Sequence, residues 1–173
     1  NPHHHLTTRR QRQMCIRDRL KDVINIETKR PDEPMPIVLY GFGRIGRLLA
    51  RMMTQTTGPG NYFRIKAIVI RKAAEDDIFK RASLLSRDSV HGPFDGTVRV
   101  DEDNSLLVVN GNAIKIIYAS GPEEVNYSDY GIKNPLVIDN TGVWRDEEAL
   151  SKHINSGASK VILTAPAKGD VKN

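Results

Sequence analysis

Gly41, Gly43 and Gly46 stand at G-x-G-x-x-G spacing in the run Gly41-Phe42-Gly43-Arg44-Ile45-Gly46. Residues without a Cβ allow a tight turn and let the backbone approach a charged phosphate. That chemistry is binding and orientation, and it includes no nucleophile. The residue type best suited to covalent attack occurs once, as Cys15, well ahead of the glycines. A single cysteine excludes an internal disulfide framework and fits a reducing compartment, and Cys15 is read as an unreactive thiol. Other residues that invite a chemical reading have plainer explanations. Glu123-Glu124 and Asp146-Glu147-Glu148 are read as dipole partners in the first turns of helices, not as metal or acid sites. His91 lies in a Gly/Pro loop between Val90 and Gly92-Pro93, and His153 is read as a solvated residue on a helix from about Asp146 to Asn155 that Gly157 terminates. Trp144 and Arg145 are assigned to packing at the start of that helix. No catalytic residue and no metal site is expected.

The glycines sit between two elements that could position them. Ile37-Val38-Leu39-Tyr40 is a short apolar run of the kind that forms a buried parallel strand. After the turn, Ile45, Leu48, Leu49, Met52 and Met53 recur at three- and four-residue spacing, which predicts a helix with these residues on its apolar face and Arg44, Arg47 and Arg51 on the other. Turn residues at 56–61 lead into a second strand, Tyr62 to Ile70, as a βαβ unit requires. Strand, glycine turn and helix together predict a dinucleotide-binding unit: Gly41 for the turn, Gly43 for the pyrophosphate, and Gly46 for close packing of helix on strand. At the end of the second strand, where an acid would bond the ribose of NAD, stand Arg71 and Lys72. The cofactor is therefore NAD or NADP, with NADP at least tolerated. Between 96 and 118, Thr97 to Val100, Leu106 to Val109 and Ala113 to Tyr118 read as short strands, and Asn110-Gly111 as a hairpin turn. The fold class is α/β: a Rossmann-type, doubly wound, mostly parallel sheet with helices on both faces and an inserted antiparallel hairpin or meander.

Gly-Phe-Gly-Arg-Ile-Gly-Arg at 41–47 resembles the opening motif of phosphorylating glyceraldehyde-3-phosphate dehydrogenases. Three later segments resemble that family in the family's order: Arg87-Asp88-Ser89-Val90-His91-Gly92, Asn140-Thr141-Gly142 after a strand from Leu136 to Asp139, and Leu163-Thr164-Ala165-Pro166. The resemblance implies that Arg44 and Ile45 sit at the pyrophosphate. It also implies that Thr141 and Gly142 lie along the cofactor at the sheet's C-terminal edge and that Thr164 approaches the nicotinamide end. Tyr40 departs from the family's usual Asn before the first glycine, and Arg71-Lys72 from its usual acid. Both departures look like a longer bacterial branch with an N-terminal extension. The family's reaction uses a cysteine thiolate, activated by a histidine, to attack the aldehyde; hydride passes to nicotinamide, and inorganic phosphate cleaves the resulting thioester to an acyl phosphate. Cys15 matches no family position, and the chain holds no Ser-Cys-Thr-Thr-Asn type motif.

Composition narrows the remaining classes. Of 173 residues, 39% are hydrophobic and 27% charged, as in a globular domain, and no stretch approaches the roughly 18 apolar residues of a membrane span. The net charge of +5 is uneven: residues 1–34 hold eight Lys/Arg against five Asp/Glu, leaving the body close to neutral. The aromatics form no basic–aromatic platform for nucleic acid. Residues 1–34 lack a sustained period and close on Pro31, Pro34 and Pro36, so they are expected to be a disordered tail. Within it, Met14-Cys15-Ile16-Arg17-Asp18 is what ATG TGT ATA AGA GAC encodes, resembling a transposon-type sequencing adapter. Residues 1–19, with the three adjacent histidines, are read as such an artefact, and 20–34 as linker or the end of an extension. Residues 35–173 are the dinucleotide-binding domain, expected to be incomplete at its C-terminus.

The expected function is NAD(P) binding as an inactive fragment of a phosphorylating glyceraldehyde-3-phosphate dehydrogenase. The complete parent would be cytoplasmic, act on a small-molecule substrate, form a homo-oligomer (a tetramer by family resemblance), and use neither membrane nor nucleic acid. The rivals are a stand-alone, non-catalytic nucleotide-binding module, a basic-tailed nucleic-acid binder, and erythrose-4-phosphate dehydrogenase of the same superfamily.

Overall fold

The computed structural model describes residues 33–56, 62–73 and 76–171. The tail expected over 1–34 therefore falls almost wholly outside the described residues. Nine strands, three α-helices and two 3₁₀ turns follow in order among the described residues. Strand β1 (Met35–Tyr40) is followed by helix α1 (Arg44–Gln55), β2 (Phe63–Ile70) and helix α2 (Asp77–Ser86). The minimal hairpin β3 (Arg87–Asp88) and β4 (Gly92–Pro93) precedes β5 (Val98–Asp101), β6 (Leu106–Val109) and β7 (Asn112–Tyr118). Strand β8 (Leu136–Asp139), helix α3 (Glu147–Asn155) and β9 (Lys160–Leu163) complete the order.

Seven strands form one sheet in the order β5-β6-β7-β2-β1-β8-β9. Strands β7, β2, β1, β8 and β9 are mutually parallel, while β5, β6 and β7 form the antiparallel meander at one edge. The fold is the expected α/β, Rossmann-like one. The β6–β7 hairpin turns through Asn110 and Gly111, both at positive φ (48° and 79°), the requirement that makes Asn-Gly a hairpin signal. Pro36, expected to close the tail, lies instead inside β1 near its open end.

Core packing explains a pattern in β2 that simple alternation does not. Ile37 pairs with Ile65 but Val38 with Ala67, so Lys66 is an extra residue in the ladder. Ile65, Ile68 and Ile70 consequently share one sheet face with Ile37 and Leu39, while Ala67 and Val69 join Val38 and Tyr40 on the other. The bulge lets two faces be filled from one strand without breaking either. The first face is covered by Ala50 of α1 together with Ile78 and Leu85 of α2. The second packs against Val125, Tyr127, Ile132 and Ala158.

The predicted face of α1 needs correction. Its buried residues are Gly46, Ala50, Arg51 and Thr54, whereas Ile45 is 48% and Met52 62% exposed. Small residues win the inner face because the helix must lie close to the glycine turn. Arg51 belongs inside because it has partners: Nε donates to the Leu85 carbonyl at 2.8 Å, Nη1 to that of Gly92 at 3.1 Å, and the guanidinium lies over Phe94. Arg47 also turns inward, with Nη1 donating to the Phe42 carbonyl and Nη2 3.6 Å from Asp88.

Candidate functional site

The ladder continues past the C-terminal ends of four parallel strands and aligns their turns. Ala119 N–H donates to Ile70, Gly41 N–H to Val69, Asn140 N–H to Tyr40 and Thr164 N–H to Asp139. Strand β1 has β2 on one side and β8 on the other, so the chain leaves in opposite directions from neighbouring strand ends. A crevice opens at such a point in doubly wound sheets. Here it is a cleft of about 230 Å³ whose lining includes Tyr40, Gly41, Gly43, Arg71, Arg81 and Thr141.

The three glycines differ in what a side chain at each would meet. Gly41 has φ +89°, and a Cβ there would lie 2.8 Å from Thr141 Cγ2. A Cβ on Gly46 would strike the carbonyl oxygen of Gly41, so only hydrogen allows α1 to pack against the turn. A Cβ on Gly43, by contrast, would meet no protein atom within 4 Å and would project into open space. Gly43 is also the N-cap of α1, where no side chain caps the helix and the first turn holds no acid. The free N–H groups and the positive end of the helix dipole are thus left for an anion. Open space beside one glycine and an uncapped helix start fit a pyrophosphate.

On the opposite wall, Asp139 at the end of β8 is completely buried and builds the Thr141–Gly142 turn. Its Oδ1 accepts from Thr141 N–H and from Thr141 Oγ1, both at 2.7 Å, and Thr141 Oγ1 accepts from Val143 N–H. Gly142 takes φ +66° within this turn. The second carboxylate oxygen, Oδ2, lies 3.2 Å from Nε2 of His153. The surface assignment of His153 is therefore wrong: the side chain has no exposed area, and the ring of Tyr40 meets it edge-on at 4.6 Å. The rest of its helix follows expectation. Asp146 caps the start through Ala149 N–H, and Gly157, at φ +98°, follows its end. Burial pushes the Tyr40 phenol well above its ordinary range, and the charge of Asp139 pushes it further, so the cleft floor carries a neutral hydroxyl.

The expected site residues separate into two groups. Gly41, Gly43, Arg71 and Thr141 line the cleft together. Arg44 and Ile45 are exposed in the first turn of α1, Gly46 lies beneath the glycine turn, and Gly142 follows Thr141 behind the lining. Thr164 is outside the cleft lining as well, its Oγ1 donating to the Asp139 carbonyl at 3.1 Å. The basic pair divides: Arg71 lines the cleft, whereas the Lys72 ammonium lies over the Tyr118 ring at 5.9 Å. Arg81 of α2 is a lining residue without a local sequence signal. It is held by a two-point ion pair to the buried Asp77, at 3.1 and 3.2 Å. Trp144 both lines the cleft and packs beside the second core face, with Lys152 over its ring.

His91 serves its loop. Asp88 accepts from the N–H groups of Val90 and His91 and pairs with the His91 ring at 3.0 Å. The His91 N–H, then its ring, then the Val90 N–H hold the Asp88 carboxyl far below the usual carboxylate range. Among the described residues no group of histidine, cysteine and acidic side chains could hold a metal ion, and no helix is long and apolar enough to cross a membrane.

Comparison with known proteins gives the same site a family. Residues 35–147 match the family described as glyceraldehyde 3-phosphate dehydrogenase, NAD binding domain. The chain is 53% identical over 159 residues to a glyceraldehyde-3-phosphate dehydrogenase-like protein of Pseudomonas aeruginosa, covering 91% of this chain and 34% of that protein. It is 37% identical to the glyceraldehyde-3-phosphate dehydrogenase of Thermotoga maritima, over 78% of this chain and 37% of the relative. To the chloroplastic glyceraldehyde-3-phosphate dehydrogenase A of Zea mays it is 36% identical, over 79% and 32%. The chain thus spans about a third of the length of these relatives. With its glycine turn, its uncapped helix and its cleft at the strand ends, this chain belongs to the glyceraldehyde-3-phosphate dehydrogenase family, whose NAD binding domain it carries.

Proposed function

We propose that the chain binds NAD(P) as the dinucleotide-binding part of a phosphorylating glyceraldehyde-3-phosphate dehydrogenase and contributes no catalytic side chain of its own. The observation that carries this reading is the space beside Gly43, where even a Cβ would meet nothing, at the uncapped start of α1. In this reading Gly41 sets the turn, Gly43 admits the pyrophosphate to the backbone, and the N–H groups of Arg44 and Ile45 face it. Gly46 keeps the helix close. Thr141 and Gly142 flank the cofactor on the β8 side, and Thr164 lies toward its nicotinamide end. Bound nicotinamide would supply the hydride acceptor. The cysteine that attacks the aldehyde would come from outside this chain, since Cys15 precedes the site and has no counterpart in it. The cytoplasmic location and tetrameric assembly of a whole protein stay with this proposal. Likeness to the Pseudomonas protein covers more of the chain than residues 35–173 alone, which supports reading 20–34 as protein sequence.

Two expected results test this function. Calorimetry on the full chain should give saturable binding of NAD, NADP or both; absence of binding for both at millimolar concentration would overturn it. Pure chain supplied with glyceraldehyde 3-phosphate, phosphate and either cofactor should form no NAD(P)H above a blank, and steady turnover would refute the assignment of chemistry elsewhere.

Cofactor choice is a separate expectation. Arg71 lines the cleft and has no acidic partner among the described residues, so it can meet a ribose phosphate; Lys72 is turned toward Tyr118. A hydrogen bond to a charged group contributes about 1.5–3 kcal/mol, reduced by exposure at this edge. Arg71→Ala should shift the NADP-to-NAD affinity ratio toward NAD by roughly three- to tenfold. Lys72→Ala should leave the ratio alone. A wild type binding NAD more than tenfold tighter, with a ratio that Arg71→Ala does not change, would remove the arginine from cofactor choice.

A further inference from the structure

We propose that His153, which does not line the cleft, is a positioning residue for it. Held by α3, its Nε2–H fixes Asp139 Oδ2, and the fixed carboxylate suspends the Thr141–Gly142 turn from Oδ1. The inference deepens the dinucleotide reading, since it concerns how the β8 wall of that site is kept in place.

The geometry supports each link. Asp139 and His153 are both wholly buried, and Nε2 of His153 at 3.2 Å is the nearest polar partner of Asp139 Oδ2 among the described residues. A buried carboxylate oxygen without a donor is costly, so this link requires the hydrogen to be on Nε2. Nδ1 of His153 is buried with no partner among the described residues, which suits a bare nitrogen and not an N–H. The other oxygen takes two short bonds from one residue, Thr141, at 2.7 Å each. A carboxylate free to rotate would lose both, and Thr141 would lose the two bonds that tie it to that strand. The consequence reaches the glycine side because a Cβ on Gly41 would touch Thr141 Cγ2 at 2.8 Å: the two turns already lie against each other, and one cannot move inward without the other. Tyr40, which lines the cleft, rests edge-on against the same imidazole, so the ring supports floor and wall together.

Solution NMR and calorimetry on the ¹⁵N-labelled, full 173-residue chain test the relay. In the wild type, imidazole nitrogen shifts should report hydrogen on Nε2 of His153 and a bare Nδ1; the reverse tautomer overturns the proposal with no mutation made. The Thr141 amide should resonate far downfield, as a short bond to a carboxylate requires. His153→Leu should move that resonance upfield and weaken dinucleotide binding at least fivefold. His153→Gln, whose side-chain amide can donate to the same oxygen, should keep both near wild type. Leu107→Ala, a fully buried change on the opposite sheet face, serves as the stability control and should alter neither. If His153→Leu matches Leu107→Ala in amide shift and affinity, His153 is only a packing residue and the proposal fails. If the wild type binds no dinucleotide, the proposed function falls, while the tautomer and the Thr141 amide still decide the relay.

Discussion

Gly43→Val should weaken dinucleotide binding at least tenfold, about 1.4 kcal/mol, while the protein stays folded. The two effects separate because the glycine has no protein neighbour to disturb: its Cβ would point into open space at the start of α1. Its φ of −72° lies in a region that any residue adopts, so valine imposes no backbone strain. Valine is a poorer N-cap than glycine, which lowers the melting temperature by a few degrees at most. The branched side chain would instead occupy the volume through which a pyrophosphate must reach the backbone. Calorimetry beside thermal melting is the measurement, and unchanged affinity in a folded Gly43→Val protein removes the glycine turn from the site.

Gly46→Val should do the opposite, damaging the fold first. The added Cβ strikes the Gly41 carbonyl oxygen, which is backbone and cannot rotate away. Exchanging a helical glycine for valine gains a few tenths of a kcal/mol in propensity, but overpacking of this kind costs about 1–3 kcal/mol and pushes the helix off the strand. The clash therefore wins, and the melting temperature should fall by roughly 3–10 °C. A melting temperature equal to wild type would show that helix and turn have room between them, contrary to the geometry described.

These two substitutions lie in the part of the molecule that its sequence describes best. The period changes from a strand to a helix across the glycines, and β1, α1 and β2 form where that change predicts. Asn110-Gly111 marks its hairpin because both residues need positive φ, a local requirement. What stayed hidden depends on distant partners. Of the apolar residues of helix α2 only Ile78 and Leu85 are buried, and Phe79 is exposed, so its apolar stripe is too thin to announce a helix. Arg81 enters the cleft only because Asp77 anchors it there. His153 has polar neighbours in sequence and looks like a surface residue; Asp139, fourteen residues away, makes burying it worthwhile. Arg51 reads as solvent-facing until the carbonyls of Leu85 and Gly92 are placed beside it. Periodicity reports which side of an element is apolar, and it does not record which polar groups will find company inside.

The pairing of Tyr40 with Asp139 joins segments almost a hundred residues apart, and Asn140 Nδ2 reaches back to the Gly41 carbonyl across a separation of 99. Strands β1 and β2 can find each other through a short helical crossover, but β1 and β8 must close a long loop before their contacts give any return. The cleft is therefore also the seam where the chain's early and late halves meet. A dinucleotide lying across it would touch both sides of that seam and would bind only when it is closed. By mass action such a ligand at a hundred times its dissociation constant adds about 2.7 kcal/mol to the native state. Cofactor supply would then govern how much of this domain is assembled as well as how much of it is occupied.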